Sequence, residues 1–223
     1  LDRAAELGMV VILGLFYFGQ DHRLYDERRV RVAVDNITDW LLERGYTNLL
    51  VEIANEIDVP KYVHEILKPP RGHALMQQGR KRSTGRLDTP AGRLLVGNSF
   101  CGGRLPTPNV VEASDAILLH GNGVDKPDGI RRLVDGTRGM DAYKGQPILF
   151  NEDDHFDFDA ADCNMKAAVE RYAGWGLFDW RAEGEDFSQG YQNVPVDWGT
   201  NSGRKRGFFR LLAEMTGGEF PVK

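Results

Sequence analysis

Leu49-Leu50-Val51-Glu52-Ile53-Ala54-Asn55-Glu56 is an apolar run that ends abruptly in an amide and a carboxylic acid. The run is near-continuous rather than alternating, which is how a strand buried on both faces of a parallel sheet reads. Ionisable groups at the end of such a strand are costly to bury without a partner or a task. The plainer alternative is that Asn55 and Glu56 merely cap a following helix. Their neighbours along the chain decide between the two.

Five more runs share the pattern, and with Asn48–Ala54 they make six: Met9–Leu15, Arg93–Asn98, Ala116–His120, Pro147–Asn151 and Gly176–Trp180. Helical patterns separate most of them. Glu27–Arg44 places Val30, Val34, Ile37, Trp40 and Leu41 on one face and stops at Gly45. Lys61–Gly85 holds one or two helices broken at Pro69-Pro70. Pro108–Ala113 supplies at most a short helical turn, while Asp128–Thr137, Ala160–Ala173 and Lys205–Thr216 are longer candidates. Leu1–Gly8 has the look of the last turns of an amphipathic helix closed by glycine.

Strands alternating with helices predict a parallel α/β sheet, either open and doubly wound or closed as a (β/α)8 TIM-type barrel. An open nucleotide-binding sheet calls for a glycine-rich phosphate turn after its first strand, and no turn here has one. The polar residues favour the barrel. Nearly every strand ends in them: Gln20-Asp21-His22, Asn55-Glu56, Asn98-Ser99, His120, Asn151-Glu152 and Asp179-Trp180-Arg181. A barrel brings all those ends to one mouth. The expected fold is a single domain over 1–223, an incomplete barrel with six of eight strands and exposed apolar edges at its first and last strands.

Composition removes several classes. The 223 residues are 41% hydrophobic and 27% charged, with a net charge of -5 and no long cationic stripe. Nucleic acid is not an expected partner, because phosphate binding needs clustered cations. No apolar stretch reaches the roughly 18 residues of a membrane span. Cys101 and Cys163 have neither CxxC spacing nor histidine neighbours, so they read as two free thiols. No cofactor is expected, and localisation and oligomeric state are not legible.

The second chemically dense segment is Pro147-Ile148-Leu149-Phe150-Asn151-Glu152-Asp153-Asp154-His155. Glu152 stands where the strand still holds it rigidly, and one of the two following aspartates is expected to cap a helix. A carboxyl from each of two strands meets the need of glycosidic cleavage, in which one donates a proton and the other attacks or activates water. Sugars also want aromatic platforms and a polar rim. Tyr17, Trp175 and Trp180 near strand ends, with Asn55, Asn98 and His120, are the candidate carbohydrate contacts.

At these residues the chain resembles the cellulase-like retaining glycoside hydrolases of clan A, in which strand four ends in Asn-Glu and strand seven in Glu. Counting back from a strand eight at Gly176–Trp180 puts Glu152 on strand seven and Glu56 on strand four. Strands three to eight are then present, with one and two lying before Leu1. The resemblance implies Glu56 as acid/base, Glu152 as nucleophile, and Asn55 on the hydroxyl next to the reacting carbon; repulsion between the two close carboxyls is expected to leave Glu56 the protonated one. The resemblance also implies Trp180 or Trp175 as the aromatic floor. Two departures stand out. Where the family has a tyrosine supporting the nucleophile, this chain has His120, and the family's strand-two arginine falls outside it. The competing readings are a metal-dependent hydrolase using His22, His120, Asp153, Asp154 and His155, and a sugar-binding barrel without turnover.

Overall fold

The computed structural model describes residues 1–220. A short helix, α1 (Asp2–Glu6), is followed by Gly8 in left-handed backbone (φ 69°), which turns the chain into β1 (Val11–Phe16). α2 (Glu27–Arg44) starts where the Asp26 carboxylate accepts the Arg29 N–H at 2.9 Å and stops at Gly45, φ 68°. Its buried face is Val30, Val34, Thr38 and Leu41; Trp40, expected there, is 41% exposed and packs on Tyr46. β2 (Leu49–Ala54) is buried at every position. Beyond it a 3-10 turn at Glu65–Leu67 precedes α3 (His73–Ser83), so the proline pair does divide the segment.

The second half continues the repeat: β3 (Leu95–Gly97), α4 (Pro108–Ala113), β4 (Ile117–His120), α5 (Pro127–Arg138), β5 (Ile148–Asp153), α6 (Asn164–Glu170), β6 (Gly174–Leu177) and α7 (Gly203–Thr216). β3 is shorter than its apolar run, and β6 ends before Trp180. All six strands are parallel, in two three-stranded sheets, β1-β2-β3 and β4-β5-β6. Among the described residues β1 pairs only with β2 and β6 only with β5, so no closed barrel forms. β1 is only part-buried, and Met9 and Val10 just ahead of it are exposed.

Each sheet has one helix-covered face. Leu49, Val51 and Ile53 pack with Val30, Val34 and Leu41 of α2 and with Leu75 and Met76 of α3. Ile117, Leu119, Ile148 and Phe150 pack with Ile130, Leu133 and Val134 of α5 and with Ala167 and Ala168 of α6. Every such fully buried Val, Leu or Ile contributes about 1.5–3 kcal/mol. The opposite face of the first sheet carries Gly14, Glu52 and Gly97, aligned in register across three strands. It is this face that leads to the polar strand ends.

Asp115 joins the two sheets. Its N–H donates to the Val96 carbonyl at 2.8 Å, and its carboxylate accepts the Val96 N–H at 2.9 Å. Arg93 holds that carboxylate with two hydrogen bonds at 2.7 and 2.8 Å, and Arg80 adds a third at 3.0 Å. Burial pushes the carboxyl up, but Arg93, the Val96 N–H and Arg80 outweigh it and hold it below the usual carboxylate range. Leaving two guanidinium groups without their anion in Asp115→Ala should cost about 3 kcal/mol in urea denaturation. A folded-state pKa below the unfolded one stabilises above the unfolded value, and that stability is lost as pH falls through the folded value. The gap between wild type and Asp115→Asn should therefore close on acidification below about pH 4. A gap that stays constant to pH 2 would show that the carboxylate is not the joint.

Candidate active site

The site depends on an irregularity in β5. Leu119 pairs with Phe150 while His120 pairs with Glu152; on the other side Phe150 pairs with Trp175 while Asp153 pairs with Leu177. β5 thus has one residue more than either neighbour between Phe150 and Asp153, a β-bulge. Phe150 lies in the helix-side core. Regular alternation from it would turn Glu152 toward the helices and Asp153 away from them. The extra residue reverses both. Asp153, fully buried, accepts from Trp175 Nε1 at 2.8 Å and from Asn164 Nδ2 at 3.0 Å, against α6. Glu152 instead faces His120, whose Nε2 lies 3.7 Å from its Oε1.

Glu56 is placed by a different device. Just past β2 it adopts left-handed backbone, φ 46°, a conformation that costs a non-glycine residue about 1–3 kcal/mol. Ser99 holds it there. The Glu56 N–H donates to Ser99 Oγ at 2.9 Å, and the Ile57 N–H donates to the Ser99 carbonyl at 3.0 Å. From this position Glu56 Oε1 meets His120 Nδ1 at 3.0 Å. One donor atom each from Glu56, His120 and Glu152 fall within 4.8 Å of one another. Asn122 Nδ2, in the turn after His120, donates to Glu152 Oε2 at 3.2 Å.

Charge is unevenly held among these groups. Burial pushes Glu152 up, its neighbour Glu56 adds to the rise, and His120 and the Asn122 amide oppose it. Glu152, the nucleophile of the sequence reading, is therefore displaced upward. Glu52, on the inner face of β2, is pushed by burial to about 7. His120 is nearly inaccessible, and burial lowers its pKa. The hydrogen bond to Glu56 and the fields of Glu152, Glu52 and Glu56 overcome that and raise it. An imidazolium between carboxylates is the arrangement this favours.

A cleft of about 550 Å³ opens over Glu52 and Glu152, lined also by Tyr17, Gln20, Asn55, Phe178, Trp180, Gln192 and Asn193 among others; Glu56 and His120 are not among its lining residues. Of the expected carbohydrate contacts, Asn55, Tyr17 and Trp180 line it and His120 lies between the two glutamates. Burial and the two glutamate charges raise Tyr17, keeping its hydroxyl neutral and able to donate. Two of the expected contacts do not belong to the cleft. Trp175 packs edge-on against Phe158, with Phe208 beside it, in the helix-side core. Asn98 is buried, its Oδ1 accepting the Ala54 N–H at 2.9 Å, and it serves the backbone. Asp21 is likewise structural, accepting the Val63 and His64 N–H groups at 2.8 and 2.9 Å.

Neither aspartate after Glu152 caps α6, whose N-cap is Cys163 without a side-chain bond. Asp153, Asp154 and His155 do form a second group with donor atoms within 4.8 Å, but Asp153 is already committed to Trp175, Asn164 and His155. His22 is exposed and belongs to neither group. A separate apolar cavity of about 290 Å³ lies at the N-terminal ends of β2 and β3, between Tyr46, Leu49, Leu87 and Leu94, and holds no carboxylate. Glu52, which lines the cleft, and Ser99, which holds the Glu56 backbone, are site residues that sequence reasoning gave no role. An acid inside an apolar strand was the available signal for Glu52; Ser99 was marked only as part of the polar strand end Asn98-Ser99. Compared with protein-family models, curated proteins and solved structures, the chain finds no match.

Proposed function

We propose that this chain is the catalytic portion of a retaining glycoside hydrolase acting on a β-linked glycan, with its six strands equivalent to strands three to eight of a (β/α)8 barrel. The observation that carries the reading is the approach of Glu56 and Glu152, from the ends of different sheets, to within 4.8 Å at their nearest oxygens. Retaining enzymes need carboxyls about 5–5.5 Å apart, and inverting ones about 6.5–9.5 Å to admit a water. The barrel is favoured by helices covering one face of both sheets while the polar groups gather on the other.

In this mechanism Glu152 attacks the anomeric carbon and Glu56 protonates the departing oxygen. Water, deprotonated by Glu56, then releases the sugar from Glu152. Glu152 must be ionised to attack, and its burial works against that. His120 and Asn122 are the groups that oppose the rise in its pKa. Asn55 supplies a hydrogen-bonding rim, and Trp180 and Tyr17 the aromatic surface. A screen of the protein against chromogenic β-glycosides tests the reading directly. Binding without release of the chromophore would mean a sugar-binding barrel instead.

A metal-dependent hydrolase is the second reading, because Glu56, His120 and Glu152 also form a donor set compact enough for a divalent ion. Elemental analysis of the purified protein, with activity assayed before and after chelation, separates the two.

A further inference from the structure

Between β6 and α7 the chain runs outward and then returns to the strand it left. The Gln192 N–H donates to the Asp179 carbonyl at 3.0 Å, and Asn193 Oδ1 accepts the Arg181 N–H. That return makes Gln192 and Asn193 part of the cleft wall, together with Trp180. Directly beside them Tyr191 stacks on Trp198, with ring centroids 6.2 Å apart and planes 21° from parallel. Trp198 is the outer ring, 76% exposed. An indole left in water forgoes the burial that is its main contribution to folding. The fold nevertheless fixes its surroundings. Lys205 of α7, itself fully buried, sets Nζ 4.1 Å from the centre of the Tyr191 ring and donates to the Asp197 carbonyl at 2.7 Å. The Tyr191 hydroxyl donates to the Gly199 carbonyl at 3.0 Å. The Asp197 carboxylate accepts the Gly199 N–H and the Asn201 amide, both at 2.8 Å. A lysine is almost never fully buried without partners. Here its partners are the ring that carries Trp198 and the residue before it.

We propose that Trp198, braced by Tyr191, is an outer sugar-binding platform, so that the ligand is an uncharged β-linked polysaccharide chain continuing past the cleft. That the chain is cut rests on the glycosidase reading; that it is bound does not. The C–H face of a pyranose ring is flat and apolar, and its rim of hydroxyls needs donors and acceptors. A rigid exposed ring with polar groups at its edge meets both needs. Trp198 offers the face, and the amides of Gln192 and Asn193 continue the polar rim into the cleft. The charged side chains lining the cleft are the carboxyls Glu52 and Glu152, and none of its lining residues is basic. An acidic glycan would meet repulsion there without a compensating cation. A protein partner fits less well, since a stable interface covers about 800 Å² on each side. Phe187, on the same loop, already carries the Arg181 guanidinium 5.4 Å from its ring centre, which leaves Val194 as a single exposed aliphatic neighbour.

Wild type, Trp198→Ala, Trp198→Phe and Trp198→Gln are run on native gels containing a soluble β-glucan, β-mannan or β-xylan. Trp40→Ala, which removes an exposed tryptophan of α2, is the control. At least one polymer should retard wild type and the control alike. Trp198→Ala and Trp198→Gln should be held about tenfold more weakly, and Trp198→Phe should recover part of the loss. Trp198→Ala should melt within about 2 °C of wild type, because so exposed a ring adds little to stability. In turnover, its KM for the retarding polymer should rise about tenfold more than its KM for an aryl β-monoglycoside. Retention that depends on Trp198 in a protein inert to every glycoside would sink the glycosidase reading and leave the platform standing. Turnover of the aryl glycoside, with polymer retention and polymer KM both indifferent to Trp198→Ala, removes the platform and leaves the enzyme. Wild type that no polymer retards also overturns the proposal, as does self-association lost in Trp198→Ala with polymer retention unchanged. Stronger retention by a carboxymethylated β-glucan than by its neutral parent would show that the ligand is not uncharged. Should Trp198→Ala not fold, undiminished retention of Trp198→Gln on every polymer overturns the platform alone.

Discussion

Glu152→Gln should abolish turnover of β-glycosides, with a fall in kcat of about 10⁴-fold or more, the scale on which loss of a covalent nucleophile is felt. The amide keeps the shape of the carboxylate and the Asn122 hydrogen-bond geometry but cannot attack. Glu56→Gln should behave differently. It removes a proton donor worth about 10²–10⁴-fold for leaving groups that need one, yet spares the first step for aryl leaving groups that depart as stable anions. Its second step, which needs Glu56 as base, then limits the rate. A glycosyl adduct should accumulate on Glu152 and be visible as a mass increase on the peptide that contains it. Equal losses in the two variants on every leaving group, with no adduct, would reverse or remove the assigned roles. The upward displacement of Glu152 makes this a sharp experiment, because a nucleophile that is partly protonated should give activity that rises with pH until it is fully ionised.

The second large effect is expected at Gly102. A Cβ there would fall on the backbone carbonyl oxygen of Asn122, with the Asn122 carbonyl carbon at 2.9 Å and its own Cβ at 3.1 Å. Backbone cannot swing aside as a flexible side chain can, so Gly102→Ala must move the turn that carries Asn122. That turn delivers the 3.2 Å hydrogen bond to Glu152. Overpacking of this kind costs about 1–3 kcal/mol, and a displacement near 1 Å at a catalytic group costs about 10²-fold in rate. Thermal melting should show the destabilisation, and kcat should fall while KM holds. Gly203→Ala is the control: nothing lies within 4 Å of a Cβ at that first residue of α7, and stability should stay level or rise slightly. If Gly102→Ala melts and turns over like wild type, the loop after β3 does not brace the loop after β4.

The repeat of strand and helix was legible because its signals are local. Continuous apolar runs, a glycine after Arg44 and the proline pair at 69–70 each act over a few residues, so the chain states them directly. The polar strand ends were equally plain, and with them Glu56, Glu152 and His120. What lay beyond the sequence was which way side chains point. In a strand that depends on parity, and one extra residue in β5 exchanges the faces of Glu152 and Asp153. The same parity sends Trp175 to the helix side, where it bonds the displaced Asp153. The bulge has no mark in Phe150-Asn151-Glu152-Asp153, because it is fixed by hydrogen bonds to strands far away in the chain.

Proton placement is another matter that only the tertiary structure decided. An isolated glutamate titrates near 4.3 wherever it sits in a sequence. Glu52 reaches about 7 because the fold removes its water, sets glycines on either flank and brings two more glutamates near it. Residue type and local spacing determined which groups could reach the site. Desolvation and through-space charge, which exist only after strands distant in sequence have packed together, determined which of them hold a proton there.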